Sequence, residues 1–177
     1  MENTMAIRKI IKYGHPTLRK ESESVNDFGD DLQLLIDDMF ETMYAGNGVG
    51  LSAVQVGVLK RVFIIDLRDW GDGKQKYICI NPKITHQSMK KQSGEEGCMS
   101  IPGIYAPVER PLRVKLKAYD RTGAPFVLRA HDFLARAILH EFDHLNGKLF
   151  IDYLSGDELA KITIPLRKIK RASRNIR

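Results

Sequence analysis

The chain has 177 residues, 43% of them apolar and 28% charged, a length and balance that fit one folded domain with a sizeable core and exclude a disordered or low-complexity chain. No apolar run approaches the roughly 18 residues of a membrane span, and two cysteines, Cys79 and Cys98, are too few for a disulfide framework. The net charge of +6 is concentrated at one end: residues 161–177 hold seven lysines and arginines and no acid, so the other 160 residues sum to −1.

The opening "MENTMAIRKI" lacks the apolar stretch of a secretory signal and is not a Ser/Arg-rich, acid-poor leader, which predicts a cytoplasmic location. Residues 31–44, "DLQLLIDDMFETMY", repeat apolar side chains at spacings of 3 and 4 (Leu32, Leu35, Ile36, Met39, Phe40, Met43) and predict an amphipathic helix capped by Asp30 or Asp31. It ends at "AGNGVG". The segment "GNGVGLSAVQVG" (46–57) is glycine-rich but has no Lys-Ser/Thr and does not lead from a strand into a helix, so a phosphate loop is not expected. It reads either as a plain turn or as a loop lying along an extended peptide, with Gln55 offering an amide N–H to a developing oxyanion.

Short β-rich runs follow at 61–67, 76–84, 113–120 and 125–130, separated by turn signals at "DWGDGK" and "DRTGAP". In 113–120 the alternation of Val114, Leu116 and Ala118 with Lys115 and Lys117 predicts a half-buried strand. Asp132 is the expected cap of a helix through "FLARAILHEFDHLNG", whose apolar stripe (Phe133, Ala137, Ile138) runs into two histidines and stops at Gly147. Strands joined by short turns, with helices early and late, predict an α+β fold on antiparallel sheet, the histidine-bearing helix packed against it. The chain divides into a domain over 1–160 and a basic tail over 161–177.

The motif "HEFDH" (140–144) carries the first chemical signal. With about 3.6 residues per turn, His140 and His144 share a helical face and can grip one ion together. Glu141 lies about 100° round the helix, placed to act on water as a general base. Asp143 is read as a supporting or solvent-facing residue. No histidine follows His144, so the third ligand is either a downstream carboxylate (Asp152, Asp157 or Glu158) or the thiol of Cys98, which stands in the Gly-flanked acidic segment "SGEEGCMSIPG". A thiolate with two imidazoles suits ferrous iron or zinc and leaves one position open. Cys79, inside "YICI", reads as a small buried hydrophobe.

Taken together, "GVGLSAVQ" (48–55), "EGCMS" (96–100) and "HEFDH" (140–144) resemble the peptide deformylase family, whose motifs have the form GxGLAAxQ, EGCLS and HExDH. The resemblance covers most of residues 7–155. Ser52 replaces Ala in the first motif, Met99 replaces Leu in the second, and Leu139 stands where Gln commonly precedes the first histidine.

The resemblance implies antiparallel β-sheets surrounding a central helix that carries the metal motif, and an enzyme that removes the formyl group from N-formylmethionine at the start of nascent peptides, releasing formate. Cys98, His140 and His144 would hold one divalent metal ion, with Fe(II) expected and Zn, Ni or Co as other occupants. Glu141 would move the proton, while the Gln55 amide and the Met99 backbone N–H would meet the oxyanion. The peptide would lie extended along Gly48, Gly50, Leu51 and Gly103. Val49, Phe133 and Ala137 would receive the methionine side chain, or serve as ordinary core. Arg110 either pairs with Glu95 or Glu96 or is solvated.

In the tail, Pro165 is expected to interrupt a helix begun at 157–164. The basic residues then form either a solvated end or a contact with ribosomal RNA, and truncation after Ser155 should leave hydrolysis of a short formyl peptide nearly intact while weakening ribosome binding. Two competing classes are a metallopeptidase with a downstream carboxylate ligand and an RNA-associated module with a structural metal.

Overall fold

In the computed structural model, residues 6–68 and 76–174 are described; the turn expected at "DWGDGK" lies outside them. Helix α1 (Asp30–Ala45) forms where the apolar spacing predicts it and buries Leu32, Leu35, Ile36, Met39, Phe40 and Met43. Its N-cap is Gly29, and Asp30 and Asp31 occupy the first turn, not the cap. There their charges face the positive end of the helix dipole.

Five antiparallel strands form the main sheet: β1 (Gly50–Ser52), β2 (Val62–Asp66), β3 (Lys76–Gln87), and, after a separate hairpin of β4 (Lys91–Cys98) with β5 (Ile101–Pro111), β6 (Arg113–Tyr119) and β7 (Pro125–His131), in the order β1-β2-β3-β6-β7. The β4–β5 pair is its own two-stranded sheet. The glycine-bearing segment around Cys98 is therefore a hairpin where the sequence suggests a loop. In β5 the inward positions Ile104, Ala106, Val108 and Arg110 are buried and alternate with exposed ones. Pro102, Pro107 and Pro111 disguise this alternation, because proline argues against a paired interior strand.

Helix α2 (Asp132–Leu145) carries both histidines and contacts β1, β2, β5, β6 and β7. One apolar cluster joins its Ala135, Ile138, Leu139 and Leu145 to Phe63, Ile65, Cys79 and Leu116 of the sheet. Asp132 is the first helical residue, after His131 as N-cap, with a positive φ of 51°. Its carboxylate hydrogen-bonds the His131 ring and caps no backbone N–H.

Helix α3 (Gly156–Arg174) runs without interruption through Pro165. Proline removes one intrahelical hydrogen bond and crowds the preceding turn, but Pro165 lies on the exposed side. On the opposite side Leu166 is buried, and Ile162 and Ile169 pack with it on Ile101, Ile104, Val108 and Phe150. Tertiary packing thus outweighs the local penalty. Gly14, with φ of 101°, lets the N-terminal segment pass against α3, since a Cβ there would meet Lys170 at 2.7 Å. No helix among the described residues is long and apolar enough to cross a membrane.

Because α3 covers this cluster, truncation after Ser155 strips cover from Ile101, Ile104 and Phe150 and cannot be neutral. Leu166→Ala is expected to lower stability by about 2–4 kcal/mol, and removal of 156–177 by more, measured by urea unfolding. An unchanged midpoint in the truncated chain would show that α3 lies outside the cooperative unit.

Candidate metal centre and active site

Cys98 closes strand β4 at an irregularity in the hairpin. Gly97 pairs with Tyr105, whereas Cys98 pairs with Ile101, so residues 102–104 bulge opposite the cysteine. Gly103, at φ of 72°, supplies the backbone conformation that the bulge requires. Tyr105 packs on Gly97, where a Cβ would meet its ring at 2.5 Å.

The bulge turns the thiol toward α2. One ligand atom each from Cys98, His140 and His144 lie within 4.8 Å of one another, and Cys98 Sγ is 3.3 Å from His144 Nε2. His140 Nδ1 is 2.9 Å from Glu96 Oε2, which orients the ring and leaves Nε2 to face the cysteine. A thiol and two imidazoles, one backed by a carboxylate, are a donor set suited to a divalent transition metal. The electrostatics agree. Burial works against a charge on His140, yet Cys98 and Glu96 hold its basicity well above the ordinary histidine value. Burial and the neighbouring His140 push His144 well below it. The pocket favours one positive charge, and a cation can take the proton's place.

Glu141 is buried and its Oε1 lies against Gly50, where a Cβ would come within 2.6 Å. The Ser52 hydroxyl donates to Glu141 Oε2 at 2.7 Å, with the Glu141 carbonyl oxygen at 2.9 Å. Burial raises the Glu141 pKa above the usual carboxylate range, against the opposing pull of His140 and Ser52. Gln55 is equally fixed: its Oε1 accepts the Ser52 backbone N–H (2.9 Å), so Nε2 points at Cys98 Sγ and Ser100 Oγ, both at 3.3 Å.

A strap from the N-terminal segment holds these pieces together. Ile11 N–H donates to the Gln55 carbonyl, Lys12 Nζ to the Met99 carbonyl and Tyr13 N–H to the Ser100 carbonyl, at 2.9, 2.7 and 2.8 Å. The Met99 side chain lies against Gly46 and Gly48, where a Cβ would come within 2.5 and 2.8 Å of it.

A cleft of about 510 Å³ opens over the cluster, and Gly48, Val49, Gly50, Gln55, Met99, Gly103, Phe133 and Ala137 all line it. Leu51 does not. Alternation along β1 turns Gly50 to the cleft and Leu51 into the α1 cluster, where it is fully buried. The downstream carboxylates stand elsewhere: Asp152 is engaged by Arg19 and Glu158 accepts the Ser155 backbone N–H. Neither joins the donor cluster, nor does Asp157.

Behind the histidines lies a buried charge network that the sequence reveals only in part. Arg110 pairs with Glu96, one of its two expected partners, and also with Asp143, which in turn accepts from Tyr153 Oη at 3.0 Å. Arg136 reaches Glu96 as well. The available signal was an arginine four residues before His140, inside an apolar stripe.

Fold and donor cluster together define an α+β protein on antiparallel sheet with a Cys/His group that could hold a metal ion. The sequence model of polypeptide deformylase matches residues 7–160. A peptide deformylase of Stutzerimonas stutzeri is 45% identical over 167 residues, covering 94% of this chain and 98% of the relative. One of Clostridium botulinum is 52% identical over 148 residues, covering 84% and 97%. Among solved structures, a peptide deformylase from Plasmodium falciparum superimposes with a TM-score of 0.89 at 38% identity, covering 95% of this chain and 98% of that one. One from Legionella pneumophila gives 0.86 at 42%, covering 97% and 100%. The chain belongs to the polypeptide deformylase family.

Glu96 ties the network to solution pH. Burial raises its pKa, but hydrogen bonds from His140 and Arg110 outweigh this and hold it at about 2, against the usual 4.5. A depressed folded value means that the unfolded chain protonates first, so the stabilisation is full above about 4.5 and vanishes as pH falls through about 2. The difference is on the order of 3 kcal/mol. Glu96→Gln is expected to lower stability at pH 7 and flatten its pH dependence between those values, followed by urea midpoints across the range.

Proposed function

We propose that this chain removes the formyl group from N-formylmethionine at the start of newly made polypeptides and releases formate. One arrangement carries the reading: the donor atoms of Cys98, His140 and His144 within 4.8 Å of one another, beside the buried Glu141 carboxylate, in a chain of the deformylase family. The catalytic domain is single and extends past residue 160 to take in α3, whose Leu166 packs in its core, and the enzyme works in the cytoplasm, where such chains are made.

Cys98, His140 and His144 would hold one divalent cation, ferrous iron being the expected occupant and zinc, nickel or cobalt the substitutes. When bound, the cation supplies Lewis acidity to a water molecule and to the formyl oxygen. Glu141 takes the proton of the attacking water and delivers it to the departing amine. Ser52 holds Oε2 at 2.7 Å, which leaves Oε1, unobstructed beside Gly50, to handle that proton. The Gln55 Nε2–H and the Met99 backbone N–H meet the negative charge on the tetrahedral oxygen; losing one such donor typically costs about 3 kcal/mol.

The peptide lies extended beside β1, which is an edge of the main sheet, so Gly48, Gly50 and Gly103 can approach its backbone closely. Val49, Phe133 and Ala137 receive the methionine side chain. The outer face of α3 exposes Lys161, Arg167, Lys168, Lys170 and Arg171. This supports contact with ribosomal RNA, because phosphate neutralisation needs cations and not a free tail. Lys168→Glu with Arg171→Glu is expected to weaken ribosome binding and reduce its salt dependence while formate release from a short peptide persists; a salt-insensitive, unchanged affinity would remove this contact.

Formate release from formyl-Met-Ala-Ser tests the central reading. The metal-loaded chain is expected to release formate, Glu141→Gln to slow it by a factor of roughly 10²–10⁴, and Cys98→Ala to lose bound metal. Cleavage of internal peptide bonds without formate would overturn the proposal in favour of a metallopeptidase.

A further inference from the structure

Helix α2 carries a buried charge one turn before His140 that none of the steps above uses. The Arg136 side chain is 6% exposed. Its Nη2 donates to the Gln92 carbonyl at 3.0 Å. Its Nη1 lies within hydrogen-bond distance of the Gly94 carbonyl (3.2 Å), the Val108 carbonyl (2.8 Å) and Glu96 Oε1 (2.8 Å). Three of these four acceptors are main-chain atoms of the β4–β5 hairpin. A planar guanidinium with a rigid fork of donors fixes such a set geometrically, which a point charge cannot do.

The hairpin needs such a clasp. It is a separate sheet, joined by backbone hydrogen bonds to the main sheet and to the start of α2 at its open end, around Ser88, Lys90 and Leu112, the end away from Cys98. Yet Cys98 stands on β4 while His140 and His144 stand on α2. Their spacing depends in part on side chains that cross the gap, Glu96 to His140, Arg110 to Asp143 and Arg136 to β4 among them. Arg136 does so at alternate residues of β4, from Gln92 through Gly94 to Glu96, two residues short of the cysteine. It sits four residues before His140, on the same helical face. Gly94 is shaped to it: a Cβ there would meet Arg136 Nη2, Cζ and Nε at 2.9–3.1 Å.

We propose that Arg136 is a positioning residue for the metal, setting the spacing between the Cys98 sulfur and the imidazoles of His140 and His144. The proposal rests on the metal reading under Proposed function. Its effect is exerted through the hairpin backbone and Glu96, without contact to the cation.

The test uses the full chain loaded with Co(II), whose sulfur-to-cobalt absorption band reports the Cys98 bond and whose transfer to a chelator reports retention. Arg136→Met is expected to shift or weaken the band and speed cobalt release by roughly ten- to a hundredfold, the usual range for loss of a residue that orients metal ligands. Arg136→Lys, which keeps the charge without the fork, should fall between Met and wild type. Gly94→Ala should act in the same direction by displacing the guanidinium, and should add little in the Arg136→Met background, because both changes act on one contact. A wild-type band and release rate in Arg136→Met, even with a lowered unfolding midpoint, would reduce Arg136 to a scaffold residue and overturn the proposal. If Arg136→Met does not fold, the same wild-type behaviour in Gly94→Ala overturns it. Failure of the wild-type chain to take up cobalt at all is a different result, and would overturn the metal reading itself.

Discussion

The Glu96 carboxylate is the point at which two separately built parts of the molecule are joined. It is 5% exposed and is met by three groups: the Arg110 guanidinium along two hydrogen bonds, Arg136 Nη1, and the His140 ring. Arg110 belongs to the same hairpin as Glu96, whereas Arg136 and His140 belong to α2. Removing any one partner leaves a charge buried without full compensation, which typically costs several kcal/mol. Weak apolar contacts tolerate sliding, but a hydrogen-bonded ion network does not, because its energy depends on distance and angle. The Cys98 sulfur on the hairpin and the two imidazoles on the helix, the ligands we propose, are brought together across this junction.

Around the junction, the side chains to which we assign chemistry are each pinned through one polar atom while another faces the cluster. Gln55 spends its oxygen on the Ser52 N–H and keeps its amide hydrogens for the cluster. Glu141 commits Oε2 to Ser52 and keeps Oε1. His140 commits Nδ1 to Glu96 and keeps Nε2. Ser52, in the position where the family motif carries Ala, therefore touches two of these three groups. Its hydroxyl fixes the Glu141 rotamer and its backbone fixes that of Gln55.

The sequence made helices α1 and α2, four of the five main-sheet strands and the HEFDH geometry legible because each is written in local periodicity or spacing. The hairpin was not, since "KQSGEEGC" has no apolar alternation and β5 hides its own behind three prolines; it is held to α2 by Arg110 of β5 and by Arg136, far away in sequence. The Leu51 side chain faces the α1 cluster and not the cleft, because a motif groups neighbours that a strand sends to opposite faces. Pro165 misled for the converse reason: a local rule lost to the packing of Leu166, Ile162 and Ile169. The helix starts were offset by one residue in the same manner, the acids lying in the first turn and not before it. Cys98 was found because glycines flank it, whereas Glu96, its neighbour but one, looked like any acid in a polar turn.

The charges explain why the supporting network and the donor cluster can coexist in one buried volume. Glu96 and Asp143 are balanced by Arg110 and Arg136, so the network behind the histidines is neutral and asks nothing of the site in front of it. The cluster is not balanced in the same way: a ligating thiolate and the Glu141 carboxylate would sum to −2, while the nearby Lys12 ammonium is tied to the Met99 carbonyl and its pKa is lowered by burial. A divalent ion would bring that group to neutrality, and the neutral network would set no uncompensated buried charge against it. Neutralising Arg136 therefore does more than loosen the hairpin. It leaves one uncompensated negative charge beside His140, on the side of the ring away from the metal, and so alters the electrostatic setting of the site along with its spacing.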